Sequence, residues 1–317
     1  MMEPEGRVRA PAKVRPFFRA LLFLVLALAT VRAAGWVTLV LPGLLPRPGQ
    51  ELAYFGLANA GLLGSSWLLL GWVDRRDFRT VGLWFYHGWA RDLLLGAGMG
   101  VGLLGAVVGV LLACGAVRYQ GLASATATIA PAFLFTAVFL LLAAAFEEIA
   151  FRGYGFQRLI DSVGRLGAVA VSAGLFGVLH LFNPSGTALS TANTVAIGVL
   201  LAVGYLKTQG LWLPIGLHWS WNLGMGPILS LPVSGVHIQP MLLRAELIGP
   251  AWFGGGAYGP EGSVVLTVVA TAAIVWLVRT PRIAVSPAMQ ELLTPEGLEE
   301  VTRTPAPTDL DTSPPPA

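Results

Sequence analysis

Three groups of polar residues interrupt the long apolar stretches of this sequence. Glu147 and Glu148 stand side by side near the end of one stretch. His180 lies deep in the next, and His218 precedes Asn222 by four residues in another. An ionisable side chain inside a membrane costs about 2.5–3.5 kcal/mol on insertion scales, so such residues are candidates for a functional site. A carboxylate, two imidazoles and an amide could activate water and stabilise an oxyanion, as peptide hydrolysis requires.

The spacing within each group predicts which side chains share a helix face. Arg152 follows Glu148 by four residues, so these two side chains can pair along one face. Glu147 points about 100° away and lacks that partner. His218 and Asn222 are also four residues apart and project from the same face. Each group has a structural alternative, because glutamates can simply end a span and membrane histidines and amides can hydrogen-bond between helices.

The signatures of other membrane proteases are missing from the sequence. There is no Gly-x-Ser-Gly string, no aspartate within an apolar stretch, and no His-Glu-x-x-His motif. The remaining histidines, His87 and His237, fall in segments between the apolar stretches, and we interpret them as bystanders. Glutamate and histidine chemistry therefore remains.

The composition excludes a water-soluble globular protein. The chain has 317 residues, of which 55% are hydrophobic and 12% charged, with a mean hydropathy of +0.70. An average soluble domain has about 25% charged residues, and a disordered chain has far fewer apolar ones. The single cysteine, Cys114, excludes a disulfide framework and a cysteine-based zinc site. The net charge of +3 comes from basic residues whose positions are those expected of a membrane protein. We therefore predict no nucleic-acid partner.

The apolar stretches predict an all-α fold, a polytopic membrane bundle of about eight transmembrane helices. A bilayer core of about 30 Å needs roughly 20 apolar residues in a helix. We divide the chain into a basic cytoplasmic N-terminus (1–16), a membrane bundle (17–279) with the protease motifs within 131–231, and a disordered cytoplasmic tail (280–317). The predicted spans are Phe17–Leu41, Leu52–Val73, Leu93–Val117, Pro131–Ala150, Leu166–Phe182, Asn193–Leu206, Leu211–Leu231 and Val264–Val278.

The distribution of basic residues predicts the orientation of the bundle. Sixteen of the twenty basic residues fall on the side of the two termini, three fall on the other side, and Arg32 lies within the first span. Basic residues concentrate in cytoplasmic segments. We therefore predict a multi-pass protein of the bacterial plasma membrane, with both termini in the cytoplasm and a water-accessible cavity open toward the cytoplasm.

The sequence also predicts the structure of two connecting segments and the membrane depth of His180. Thr80–Asp92 is rich in aromatic residues, which is typical of an interfacial helix. Pro232–Gly262 is rich in glycine and proline and is expected to form an outer loop. Counting about 1.5 Å per residue from Leu166 places His180 several Å deeper than the other polar groups. A tilt, or a fifth helix that begins well outside the bilayer, would bring it level.

The three groups together resemble the motifs of the CPBP intramembrane proteases, a family that includes the type II CAAX prenyl endopeptidases and bacterial Abi proteins linked to bacteriocin self-immunity. The matching strings are Glu147-Glu148-x-x-x-Arg152, Phe176-x-x-x-His180 and His218-x-x-x-Asn222. The resemblance implies that Glu147 and His180 activate a water for attack on the scissile carbonyl. It implies that His218 and Asn222 bind the oxyanion, while Glu148 and Arg152 support the site.

The resemblance leaves the cofactor and the substrate open. Two histidines and a glutamate could hold zinc with an open position, but the same groups can act without a metal, and we favour the metal-independent version slightly. The expected partners are membrane lipids and a protein or peptide substrate at the membrane, which could be lipid-modified, as a prenylated CAAX tail is. The rival functions are a non-catalytic adaptor or immunity factor on the same fold, and a transporter that relays protons through Glu and His.

Overall fold

The computed structural model describes residues 14–40, 46–123 and 129–294, and within them the fold is a bundle of helices. Short π-helical turns, Leu69–Asp74 and Gly224–Ile228, extend two of the helices. The helices are α1 (Val14–Val40), α2 (Arg47–Leu68), α3 (Trp89–Ala113), α4 (Ile129–Arg152), α5 (Tyr154–His180), α6 (Ala188–Thr208), α7 (Trp212–Leu223), α8 (Ala251–Gly254), α9 (Val264–Arg279) and α10 (Pro287–Leu292).

Each of the eight predicted spans coincides with a helix, and the protein is an integral, multi-pass membrane protein. Among the described residues, five stretches are long and apolar enough to cross a membrane, and one of them covers both α4 and α5. The apolar helix α9 has 16 residues and α7 has 12, so they are shorter than a full crossing. The all-α bundle is thus confirmed, while the count of eight crossings stays a prediction.

The fifth helix begins earlier than the sequence indicated. α5 starts at Tyr154, directly after a break at Gly153 that ends α4, and not at Leu166. It kinks at Gly164, whose backbone is non-helical with a φ of 78°. Glycine adopts this left-handed conformation without the steric cost that a side chain would bring. The depth of His180 was therefore counted from the wrong residue, because α5 begins twelve residues before Leu166 and bends at Gly164.

Close packing fixes α7 against α3. A Cβ atom at Gly96 would overlap the carbonyl oxygen of Leu213, and one at Gly216 would overlap that of Leu93. The Ser220 hydroxyl also donates a hydrogen bond of 3.0 Å to the Ala97 carbonyl of α3. Small residues allow membrane helices to approach this closely. The helix that carries His218 and Asn222 is thus held along its length.

The bundle has two distinct ends. One, the tail end, comprises residues 14–19, 74–92, 152–165, 207–212 and 279–294; the other, the loop end, comprises residues 46–51, 113–123, 181–187 and 229–262. At the tail end, Gln157 donates to the Thr80 carbonyl and Lys207 to the Thr280 carbonyl. At the loop end, strand β1 (Val117–Leu122) pairs antiparallel with β2 (Leu243–Leu247). The segment predicted as an outer loop therefore contains a strand.

The aromatic segment before α3 is not the interfacial helix that its composition predicted. Phe78–Val81 forms one 3-10 turn, and the left-handed backbone of Gly82 and Gly88 prevents a continuous helix. Tyr86 is buried and donates a hydrogen bond of 2.6 Å to Asp92. The prediction of an interfacial helix was wrong because it assigned the aromatic side chains to lipid, whereas they contact protein.

The first part of the predicted disordered tail is folded. Pro287–Leu292 forms α10, whose Met289 is fully buried and accepts a hydrogen bond from the Trp84 indole. Residues 295–317 and 1–13 lie outside the described residues, so the disorder predicted for the tail and the basic N-terminus stay predictions there.

Candidate active site

The three polar groups of the sequence converge at one place in the bundle. Glu147 lies near the end of α4, His180 is the last residue of α5, and His218 lies in the middle of α7. The Oε2 atom of Glu147 is 3.9 Å from Nε2 of His180 and 3.8 Å from Nε2 of His218. The break at Gly153 and the bend at Gly164 allow the ends of α4 and α5 to meet.

Glu148 connects two of the three motifs. Its Oε1 atom accepts a hydrogen bond of 2.8 Å from Nδ1 of His218 and one of 3.2 Å from Nη1 of Arg152. Glu148 and Arg152 are both fully buried, and Arg152 also donates to the Gly198 carbonyl at 3.1 Å. The ion pair along the helix face was expected from the spacing, but the contact with His218 was not. Glu148 thus fixes the orientation of the His218 ring.

Phe176 separates the buried cation from the His180 ring. The Arg152 guanidinium carbon lies 4.6 Å from the Phe176 ring centroid, within the range of a cation–π contact. The Phe176 ring also lies against His180, with the two ring centroids 4.4 Å apart. His180 donates from Nδ1 to the Phe176 carbonyl at 2.7 Å, which leaves its Nε2 directed toward Glu147. The aromatic residue of the second motif therefore helps to position the histidine.

Asn222 lies on the wall of the same cavity, one helical turn beyond His218. The cavity has a volume of about 170 Å³, enough for several water molecules. Within the described part of the chain, the Asn222 amide makes no hydrogen bond, so it is available to a ligand. Besides Glu147, His180, His218 and Asn222, the lining includes Leu103, Phe176, Asn183, Thr194, Ile197, Leu217, Trp221, Val233, Ser234, Val236, Glu261 and Leu266.

One oxygen of Glu147 has no hydrogen-bond partner among the described residues. This atom, Oε2, is inaccessible to solvent although the side chain as a whole is 29% exposed. The distances of 3.8 and 3.9 Å to the two imidazoles are too long for direct hydrogen bonds. A water molecule about 2.8 Å from both the carboxylate and one imidazole would complete this triangle. Small side-chain movements admit it, because Oε2 is covered in the present arrangement.

The donor set does not match a metal centre. Within residues 14–40, 46–123 and 129–294, no three His, Cys, Asp or Glu side chains are grouped closely enough to hold a metal ion. Ligand atoms on one tetrahedral zinc lie about 3.3–3.5 Å apart, given bond lengths of about 2.0–2.2 Å. The oxygen of Glu147 is farther than that from both Nε2 atoms. The chemistry below is therefore derived from the side chains alone.

A further carboxylate in the cavity was not identified from the sequence. Glu261 lies between α8 and α9, where it accepts hydrogen bonds from the Trp221 indole at 2.9 Å and from the backbone and hydroxyl of Ser234. Its backbone carbonyl accepts from the buried Asn193 of α6 at 2.8 Å. Little in the sequence indicates this role, since Glu261 lies in a Gly- and Pro-rich segment. Its one signal was a charged residue shortly before an apolar helix.

We expect Glu261→Gln to lower the free energy of unfolding by about 1–3 kcal/mol, the range for hydrogen bonds to a charged group. A glutamine can still accept from Trp221, but its NH₂ group cannot accept from the Ser234 backbone. The measurement is chemical unfolding of the purified protein in detergent. Glu246→Gln is the matched control, because Glu246 is exposed and its side chain accepts a hydrogen bond from the exposed Gln120. Equal stability of both variants would contradict the structural role of Glu261.

A family model matches residues 128–224, the segment that contains all three motifs. The family is described as type II CAAX prenyl endopeptidase Rce1-like. This match confirms the resemblance to the CAAX-type proteases and indicates a membrane protease, a hydrolase that acts on a protein or peptide at the membrane. No curated protein and no solved structure matches the chain.

Proposed function

We propose that this chain is an intramembrane endopeptidase in which Glu147 activates a water molecule for attack on a peptide bond. The observation that supports this most directly is the partnerless Oε2 atom of Glu147, which faces two imidazole nitrogens in a cavity of about 170 Å³. A buried carboxylate oxygen without a donor is costly. Such an oxygen is retained most readily where a bound water, and then a substrate, donates a hydrogen bond to it.

The hydrolytic step balances with these residues alone. Glu147 takes a proton from the water while the water oxygen attacks the scissile carbonyl carbon. The product is a tetrahedral intermediate with a negative oxygen. The carbon–nitrogen bond then breaks, and the proton held by Glu147 passes to the leaving amine. Positioned acid–base groups of this kind contribute about 10²–10⁴-fold in rate.

His180 orients the attacking water. Its Nδ1 is committed as a donor to the Phe176 carbonyl, so in the neutral ring Nε2 carries a lone pair. That lone pair accepts a hydrogen bond from the water, whose other proton is directed to Glu147. The fixed tautomer means that the water enters an arrangement that already exists, without the entropic cost of ordering the ring.

His218 and Asn222 stabilise the oxyanion. Since Glu148 accepts from Nδ1 of His218, the Nε2 atom of that ring points into the cavity, where it donates once the ring is protonated. The Asn222 amide is one turn away on the same helix face and supplies a second donor. Donors placed before the reaction are effective because they do not reorganise as the charge develops.

The proposal is tested with Asn222→Ala, because this side chain makes no hydrogen bond to the described residues and its loss should leave the fold intact. Loss of one oxyanion donor typically lowers kcat by about 10²–10³-fold. New protein termini are mapped in membranes from cells that express the wild type or the variant. Termini that form with the wild type should be strongly depleted with Asn222→Ala. Identical sets of termini, with equal amounts of folded protein, would favour the non-catalytic adaptor.

We expect a zinc chelator to leave the rate of peptide hydrolysis unchanged, because the donor atoms are too far apart for a metal centre. The measurement is the rate of the purified protein before and after chelation, together with its metal content. A rate that falls on chelation and returns on addition of Zn²⁺ would contradict the metal-independent mechanism. It would leave the assignment as a protease unchanged.

A further inference from the structure

The described residues that line the cavity lie between the middle of the bundle and its loop end. We infer that the cavity receives its substrate from the extracytoplasmic side of the membrane, as a segment of an exported or membrane-anchored polypeptide. This inference rests on the proposed peptidase function and adds the class of substrate to it. It also replaces the expectation, made from the sequence, of a cavity open toward the cytoplasm.

The lining residues show the direction. Apart from the catalytic groups, they come from the middle of α3, the last turns of α5, the middle and last turn of α7, the first half of α6, the start of α9, and the loop end itself. Asn183, Ser234 and Glu261 belong to loop-end segments, and Val236 at the rim is 48% exposed. Among the described residues, no lining side chain comes from the tail-end segments.

The opposite side of the site is closed by buried side chains. On the side of Glu147 that faces the tail end lies the Glu148–Arg152 pair, with both side chains inaccessible to solvent. Beyond it, Phe156, Tyr205 and Leu211 are packed in one core cluster with exposures of 1% or less. Gln157 joins this closure by a hydrogen bond of 2.8 Å to the Tyr205 hydroxyl. A substrate coming from the tail end would have to displace a core.

The charges assign the two ends to the two sides of the membrane. The tail-end segments contain twelve basic residues, whereas the loop-end segments contain three, namely Arg47, Arg118 and Arg244. Basic residues accumulate in cytoplasmic segments because positively charged loops are translocated poorly. The tail end is therefore cytoplasmic. The loop end, and with it the mouth of the cavity, is extracytoplasmic.

This orientation limits the substrates. A peptide bond must approach the cavity past Val236 and Asn183 from the outer face, so the scissile segment belongs to a chain that has already crossed the membrane. The free C-terminus of a cytoplasmic protein would not reach the site. The Glu261 carboxylate on the wall is already occupied by Trp221 and Ser234, so no cation is required of the substrate.

The test uses the two histidines that take no part in the site. The single cysteine, Cys114, is replaced by serine, and one new cysteine is introduced as His87→Cys at the tail end or His237→Cys at the loop end. Both positions are exposed and neither replacement changes a fixed charge. A third variant, Val236→Cys, reports on the mouth of the cavity. Intact cells, with any outer permeability barrier removed, are treated with a membrane-impermeant maleimide, and the same cells are then permeabilised.

We expect labelling of His237→Cys and Val236→Cys in intact cells, and loss of His87→Cys labelling until the cells are permeabilised. The reverse pattern would overturn the inference and place the mouth in the cytoplasm. Labelling of His237→Cys without Val236→Cys would also overturn it, since the mouth would then be closed to the outer side. None of these results depends on catalysis, so failure of the inference is distinguishable from failure of the peptidase assignment.

Discussion

Glu147→Gln is expected to lower the rate of peptide hydrolysis by about 10²–10⁴-fold while the protein stays folded. Glutamine has nearly the same shape as glutamate, but its amide cannot take a proton from water at neutral pH. The Oε2 atom of Glu147 has no hydrogen-bond partner in the described part of the chain, so the substitution breaks no hydrogen bond of that atom. The loss should appear in kcat and leave KM almost unchanged, because the base acts in the transition state.

The control for this variant is Glu51→Gln. Glu51 is also a glutamate at an edge of the bundle, but it lies at the start of α2 and is absent from the active-site cavity. Rates are measured with purified protein in lipid discs, on a peptide taken from a mapped cleavage site. A Glu147→Gln rate within threefold of the Glu51→Gln rate, on the order of 0.6 kcal/mol, would rule out Glu147 as the base.

The assembly of the site was predictable from three short strings. Their residues lie on separate helices, but polar groups in a membrane are costly alone and less costly when they meet. This argument placed Glu147, His180 and His218 in one site. In the structure, the Nε2 atoms of both histidines lie within 4 Å of Oε2 of Glu147. The helical positions of the spans followed equally from the apolar runs.

The surroundings of the site were less predictable. The contact between Glu148 and His218 joins residues 70 positions apart, and no helical periodicity encodes it. Glu261 acts through a turn held by Asn193, a tertiary contact that local composition does not reveal. The aromatic residues before α3 have the composition of an interfacial helix, yet Tyr86 packs against α10. Composition shows which residues avoid water but does not distinguish lipid from protein.

The same limit explains the direction of the cavity. The charge count predicts the orientation of the termini, but no sequence pattern indicates on which side of Glu147 the bundle is closed. In the structure, that side follows from the buried Glu148–Arg152 pair and the aromatic residues beneath it. The sequence alone favours an opening toward the cytoplasm, and the opening that we infer on the other side rests on this packing.

Arg152→Met is expected to lower the free energy of unfolding by about 3–5 kcal/mol, because it leaves the Glu148 carboxylate buried without its cation. Both side chains are fully buried, so solvent does not screen the pair. The variant also loses the hydrogen bond to the Gly198 carbonyl and the contact with the Phe176 ring. The measurement is chemical unfolding in detergent, with the exposed Arg282→Met as the matched control.

Two double variants separate the stabilising role of the pair from its role in the reaction. Glu148→Leu with Arg152→Met removes both charges, and apolar replacement of a buried pair is often neutral or stabilising. Its stability should therefore recover. Its activity should stay at least about 100-fold below wild type, because His218 loses the acceptor that orients it; the comparable carboxylate in serine proteases is worth about 10⁴-fold.

Glu148→Gln with Arg152→Met provides the decisive comparison. It also lacks both charges, but the glutamine carbonyl can still accept the hydrogen bond from Nδ1 of His218. If Glu148 acts by positioning His218, this variant should recover part of the rate that the leucine variant has lost, at equal stability. If the two double variants were equally inactive, the hydrogen bond would not be the cause, and the charge of Glu148 would have to act on the protonated His218 ring directly.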